Sequence, residues 1–337
     1  MDGLLIGETG VQAHSQETSV QAELVAVLAA VSQGQPRVLT TECARALPSG
    51  PLEQAHRSLQ MGMRAWVEAQ TQHPLGYVEQ LYTFADKGRF ASQGERVISV
   101  SYLGLTREEP LPQALEVGWQ DVYRYFPWED WREGEPALLR ELIWPRLQVW
   151  ALGDSEGDGS TGFDPAYSRA QRRAQRWQRA CYAFGMEGAA WNEDMVLQRY
   201  ELLFEAGLVP EAQRGADHAP DWGEEGPLGL PMRHDHRRIL ATGIARLRAK
   251  IKYRPVVYEL MPPEFTLLQL QHAVEALAGR GLHKQNFRRL VEQQDLLEES
   301  GGVASGGAGR PAKLFRFKGN VLLERAIAGT KLPLARG

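Results

Sequence analysis

The strongest pattern in the chain is a continuous apolar run, Leu24 to Val31. It is closed by Ser32-Gln33-Gly34-Gln35-Pro36 and followed by Arg37-Val38-Leu39-Thr40. Short apolar runs bounded by turn residues predict two buried strands with a tight connection. Leu47-Pro48-Ser49-Gly50-Pro51 predicts a loop. Between Glu53 and Gln70 the only Gly or Pro is Gly62, and Leu59, Met63, Trp66 and Val67 share one helical face. Gly76–Phe84 and Arg96–Leu105 predict two more strands. In the second, Val97, Ser99, Ser101 and Leu103 alternate with Ile98, Val100 and Tyr102. Strands around one helix predict a mixed α+β domain, after a polar lead-in from Met1 to Thr18.

The middle of the chain, Thr106 to Pro231, reads differently. It holds Trp119, Trp128, Trp131, Trp144, Trp150, Trp177, Trp191 and Trp222, all the tryptophans except Trp66. Tyr167–Tyr182 predicts an Arg-rich helix. Asn192–Gly207 predicts another, with Asn192 as N-cap and Gly207 as its stop. Asp154–Thr161 predicts a loop, and Gln213–Pro231 a linker. Next, Leu240, Ile244, Leu247 and Ile251 form one apolar stripe, which predicts a helix over His236–Lys252 capped by Asp235 and ended by Arg254-Pro255.

The last module has the pattern of two helices and a turn. Thr266 and Gln269 match a capping box, and Leu267, Leu270, Val274 and Leu277 give an apolar face. Ala278-Gly279-Arg280-Gly281 is a turn. A second helix, Leu282–Gln294, is predicted with Phe287, Leu290 and Val291 facing inward. Asp295–Glu299, a glycine-rich stretch and Leu314–Phe317 then predict a wing. With Phe287 inward and about 100° per residue, Gln285 and Arg289 point outward. Arg288 lies on one flank and Asn286 on the other, while Lys284 reaches out from the first turn. Asn and Gln suit adenine edges and Arg suits guanine, while Lys284 and Arg288 suit phosphates. Arg310 and Lys313 extend the basic surface onto the wing. Thr266 and Gln269, at the start of the first helix, complete the DNA-binding expectation.

Charge sharpens this picture. The net charge of −4 conceals a C-terminal segment, residues 234–337, with 18 Lys/Arg against 9 Asp/Glu. A basic module on an acidic body is the distribution of a phosphate-binding module, although a solvated basic face gives the same count. Helix-turn-helix patterns also serve protein binding. Two cysteines, Cys43 and Cys181, exclude a disulfide framework or a Cys-rich zinc site. No apolar run reaches the ~18 residues of a spanning helix, and Met1–Val11 lacks the layout of a secretory signal. No membrane partner is expected, and the cytoplasm is the expected compartment.

The segments Asp235–Ile239 and Arg246–Pro255, Glu259-Leu260-Met261-Pro262, Phe265-Thr266-Leu267, Lys284–Arg289 and Gly309–Ala312 together resemble the Nudix-related transcriptional regulators of NAD metabolism, specifically over residues 234–318. The long alphaproteobacterial branch is the nearer resemblance. Leu81–Phe84 and Arg96–Leu103 resemble that family's N-terminal domain, and the Trp-rich middle is an insertion relative to its short members. The resemblance implies a Nudix-like sensor core over 18–105, a helical insertion and linker over 106–233, a connecting helix over 234–252, and a winged helix-turn-helix over 253–327. It also implies a homodimer on double-stranded operator DNA. Such a protein represses NAD synthesis or salvage genes until an adenine (di)nucleotide metabolite (ADP-ribose, NAD(H) or an ATP-like molecule) releases it.

The Nudix enzyme signature sets glutamates on one helix around Mg²⁺. Aligned at Gly50, its first Glu position holds His56, its Arg position Arg64, the next Glu position Ala65, the Glu-Glu pair Glu68 and Ala69, and its second Gly position Thr71. One remaining carboxylate is a poor cage for an ion that needs hard oxygen ligands, and without the ion little activates water. A sensor without hydrolase activity and without a cofactor is therefore expected. Its ligand residues would be Arg64, Glu68, Thr83, Phe84, Lys87 and Arg89. The rival expectation is an active nucleotide-diphosphate hydrolase whose C-terminal module serves dimerisation.

Other features offer less. Arg169, Arg172, Arg173, Arg176 and Arg179 suit phosphate or RNA, or simply a solvated face paired with the acidic body. Phe126–Trp131 reads as an aromatic platform or as buried packing. The His234-Asp235-His236 run does not converge on a metal, and the glycines at 301–309 lack the Lys-Ser/Thr of a P-loop.

Overall fold

The computed structural model describes residues 20–73, 75–76, 78–86, 96–111, 116–153, 165–213, 225–253, 256–304 and 311–319. Its centre is a six-stranded sheet of order β4-β5-β1-β2-β6, with β3 also on β1. The strands are β1 (Val20–Ser32), β2 (Gln35–Thr40), β3 (Ser49–Pro51), β4 (Val78–Phe84), β5 (Arg96–Leu105) and β6 (Gly118–Asp121). β1 runs parallel to β5 and antiparallel to β2 and β3. Its unbroken apolar run is explained by burial on both faces. Leu24, Ala26, Leu28 and Ala30 face one layer, and Val25, Val27 and Ala29 face the other.

The first layer is α1 (Leu59–Thr71), whose Met63 and Val67 pack on the even residues of β1. The helix starts six residues later than the pattern from Glu53 predicts. Ser58 sets the start, because its Oγ accepts from the Met61 amide at 3.2 Å. Trp66 does not join the buried stripe. It lies over Gly50, where a Cβ would sit 2.2 Å from the indole ring, and its Nε1 donates to the Pro51 carbonyl at 2.8 Å. Gly50 and Pro51 form β3 rather than a loop.

The second layer is built from the Trp-rich middle and the helix that follows it. It contains α2 (Trp144–Leu152), α3 (Pro165–Phe184), α4 (Val196–Glu205) and α5 (His236–Tyr253). Tyr125, Phe126, Trp128, Leu147, Phe184, Tyr200, Leu240 and Leu247 share one core with Val25, Val27 and Ala29 of β1. The 126–131 run is thus buried packing. The sheet also takes β6 from beyond residue 105, so the middle segment contributes to the sheet as well as covering it. Asn192 caps no helix. Its Oδ1 accepts from the Asp194 amide at 3.0 Å, a turn ahead of α4, which begins at Val196. Gly207, with φ +68°, does follow the helix end.

Burial in this layer is also ionic. Glu129 and Arg199 are both almost fully buried and joined at 2.6 and 2.8 Å, and Arg248 of α5 reaches the same carboxylate at 2.6 Å. Burial alone would raise the Glu129 carboxyl, but the two guanidinium groups outweigh it and hold it below the usual carboxylate range. On the α3 arginine face, Arg179 pairs with Glu205 and Arg176 lies over the Trp150 ring. That face is therefore at least partly engaged with its own surroundings. Among the described residues no helix is long and apolar enough to cross a membrane.

Candidate nucleic-acid interface

The C-terminal module is α6 (Leu267–Ala278), α7 (Lys284–Gln294), β7 (Leu297–Val303) and β8 (Lys313–Phe317). α6 begins with the predicted capping box. Thr266 Oγ1 accepts from the Gln269 amide at 3.2 Å, and Gln269 Oε1 accepts from the Thr266 amide at 2.8 Å. Both side-chain oxygens are thereby engaged, so these two residues serve the helix start first. Gly279 ends α6 with φ +72°. Phe287 anchors α7 in a small core with Val257, Met261, Phe265, Leu270 and Ala273. β7 and β8 pair antiparallel, and Phe265 bonds Phe315 through both backbone groups (3.0 and 2.8 Å), closing the wing onto the helices.

One inward expectation fails. Leu290 is 52% exposed, so the apolar face of α7 is narrower than the pattern suggests, and Phe287 carries the burial. The remainder of α7 matches its expected outward reading. Lys284, Gln285, Asn286, Arg288 and Arg289 are all exposed. No carboxylate among the described residues pairs with Lys284, Arg288 or Arg289. No acidic residue occupies the first turn of α7. A helix N-terminus carries partial positive charge, so Lys284 adds to a field already suited to phosphate. Lys313 differs: its Nζ bonds Glu299 at 2.7 Å across the wing, an exposed pair that costs little to open. Arg310 lies outside the described residues.

Of the expected ligand residues, the described ones, Arg64, Glu68, Thr83 and Phe84, do not line one pocket. The Arg64 guanidinium donates to the carbonyls of Leu75 and Gly76, both at 2.6 Å, so it pins the chain leaving α1 instead of facing a phosphate or Glu68. Phe84 is buried in the layer opposite α1, with the Arg238 guanidinium 4.4 Å from its ring centroid. The sheet separates it from Glu68, which is exposed on α1 as Thr83 is on β4. Lys87 and Arg89 lie outside the described residues. His56, expected at the first carboxylate position of the signature, shapes the turn before α1. Its Nδ1 accepts from the Glu53 amide at 3.1 Å, and its ring lies where a Cβ on Gly62 would be. Among the described residues no three His, Cys, Asp or Glu side chains are grouped as metal ligands. A cleft of about 540 Å³ does open beside β6, lined by residues including Arg45, Gln120 and Arg124, but none of the expected ligand residues lines it.

Comparison with known proteins adds to this geometry. Residues 257–317 match the NrtR DNA-binding winged helix domain. The ADPR responsive transcriptional repressor NtrR of Acinetobacter baylyi (strain ATCC 33305 / BD413 / ADP1) is 39% identical over 93 residues. That match spans 28% of this chain and 37% of the repressor. The fold is similar to that of Shewanella oneidensis NrtR complexed with a 27mer DNA, with a TM-score of 0.50 and 20% identity over 89% of this chain and 94% of the other. The structure of Shewanella oneidensis NrtR gives a TM-score of 0.50 and 18% identity, covering 88% of this chain and 94% of that one. Residues 257–317 thus match a winged helix domain of the NrtR type, and the chain as a whole shares the mixed α+β fold of the Shewanella oneidensis NrtR structures.

Proposed function

We propose that this chain is a DNA-binding transcriptional repressor whose Nudix-like domain senses an adenine (di)nucleotide metabolite without hydrolysing it. The observation that carries the reading is α7: an exposed face of Lys284, Gln285, Asn286, Arg288 and Arg289, with its cations unpaired among the described residues, inside a winged helix domain of the NrtR type. Unpaired cations on an exposed helix face supply phosphate attraction, and amide and guanidinium groups supply base-edge pairing. The ADP-ribose response carried in the name of the Acinetobacter baylyi relative supports that metabolite class for the effector. NAD-synthesis or salvage genes are the proposed targets, a homodimer the proposed assembly and the cytoplasm the proposed compartment.

Enrichment of duplexes from a randomised pool by the full chain, followed by titration of ADP-ribose, NAD and ATP into the complex, tests this. Selective binding released by one of these ligands supports it. Failure to enrich any sequence defeats it.

The absence of hydrolysis rests on His56, Ala65 and Ala69 at three carboxylate positions, and on the turn-forming role of His56. Purified protein with Mg²⁺ or Mn²⁺ is expected to leave ADP-ribose and NADH intact. Turnover that vanishes in Glu68→Ala would establish the hydrolase instead.

A further inference from the structure

Any α-helix leaves its last carbonyls without partners inside the helix. In α6, Glu275 is served by the Gly279 amide at 2.9 Å. The neighbouring acceptors are served from outside the winged helix domain. The buried Tyr123 hydroxyl donates to the Ala276 carbonyl at 2.6 Å. Arg248 Nε donates to Leu277 at 3.0 Å. The Trp131 amide donates to Gly279 at 2.6 Å. Glu129, held by Arg199, fixes the Arg248 guanidinium in turn. Arg132 extends the frame to the sheet, donating to Gly34 at 2.7 Å and to the Gln35 side chain at 2.8 Å in the β1–β2 connection. Gly279 leaves no slack, because a Cβ there would sit 2.4 Å from Arg248 Nη2 and from the Glu129 carbonyl.

We infer that Tyr123, Trp131 and Arg248 are positioning residues of the DNA interface, and that the Trp-rich segment is the frame that sets the angle of α7. The inference rests on the DNA-binding reading above. α7 starts five residues after Gly279, so a rotation of α6 carries α7 with it. Turning α6 would strip buried carbonyls of their donors, and buried acceptors left unpaired are costly. The helix pair is therefore presented in one orientation relative to the sheet.

Tyr123→Phe tests this in the full chain, because it removes one donor and keeps the ring. Anisotropy titrations use a duplex enriched by the wild type and a scrambled duplex, well below the thermal midpoint of each protein. Affinity for the enriched duplex is expected to fall ~10-fold, or ~1.4 kcal/mol, while the scrambled duplex changes less than ~2-fold, because phosphate attraction tolerates a misaligned helix. Wild-type affinity on both duplexes overturns the inference. So does an equal loss on both, which marks simple destabilisation. If the wild type enriches no duplex, the DNA-binding reading fails before this one is reached.

Discussion

The two helices of the C-terminal module meet the protein in opposite ways. The end of α6 is buried, and its carbonyls are matched by Tyr123, Arg248 and Trp131 from distant parts of the chain. α7 buries Phe287 and leaves its polar and cationic side chains in solvent without ion-pair partners among the described residues. Free energy at the first site goes into a fixed orientation, so losses there appear in folding and, through the angle of α7, in sequence-selective binding. The second site keeps its hydrogen-bonding capacity for something outside the chain, so losses there appear in binding.

The largest effect is expected from Arg248→Ala. It leaves Glu129 with one of its two cations and takes the donor from Leu277, and breaking a buried pair costs about 3–5 kcal/mol. Urea unfolding measures this, and a cost below ~1 kcal/mol would remove the distinction between the two helices. The same pair makes stability depend on acid. Because the Glu129 carboxyl is held low in the folded state, its contribution is complete above the ordinary carboxylate pKa of 4.5 and is lost as pH falls below that toward the depressed value. In Arg248→Ala, that acid-side loss should shrink.

Arg289→Ala comes next, with little effect on folding and a loss of ~1–3 kcal/mol on the enriched duplex, together with relaxed preference at one base pair. Binding across a base-substitution series checks it, and equal losses on all sequences would shift base reading to the wing. Lys284→Ala should weaken every duplex alike and reduce the salt slope by about one unit. A salt series on specific and scrambled duplexes distinguishes the two variants. Leu290→Ala should be smallest, within ~0.5 kcal/mol in urea unfolding, because the side chain is half in solvent. A core-sized loss would restore it to the buried face.

Local signals made much of the fold legible. Uninterrupted apolar residues in 24–31 fixed β1 as a strand covered on both faces, Thr266 and Gln269 marked the start of α6, and Gly279 its end. The outward positions of α7 followed from the helical period once Phe287 was taken as the anchor. The period alone could not separate Leu290, on the edge of that stripe, from the core, because exposure there depends on which neighbours reach it. Ser58 rather than Glu53 starts α1 because a cap must supply an acceptor, and continuity of helix-forming residues does not.

Tertiary structure decided what the charged residues do. Arg64, which the sequence aligns with the arginine of the Nudix signature, gives its guanidinium to two carbonyls beyond the helix. Phe84 and Glu68 looked like partners in a ligand site, and the sheet lies between them. The Trp-rich segment, read as an insertion relative to the short members of the family, supplies the sheet's sixth strand, much of a buried core and, in Tyr123 and Trp131, two of the donors that hold α6. Periodicity and capping act between residues a few positions apart, so one sequence determines them. Hydrogen-bond satisfaction and ion pairing join residues more than a hundred positions apart, as Tyr123 joins Ala276 and Arg248 joins Glu129, and only the folded chain brings them within reach.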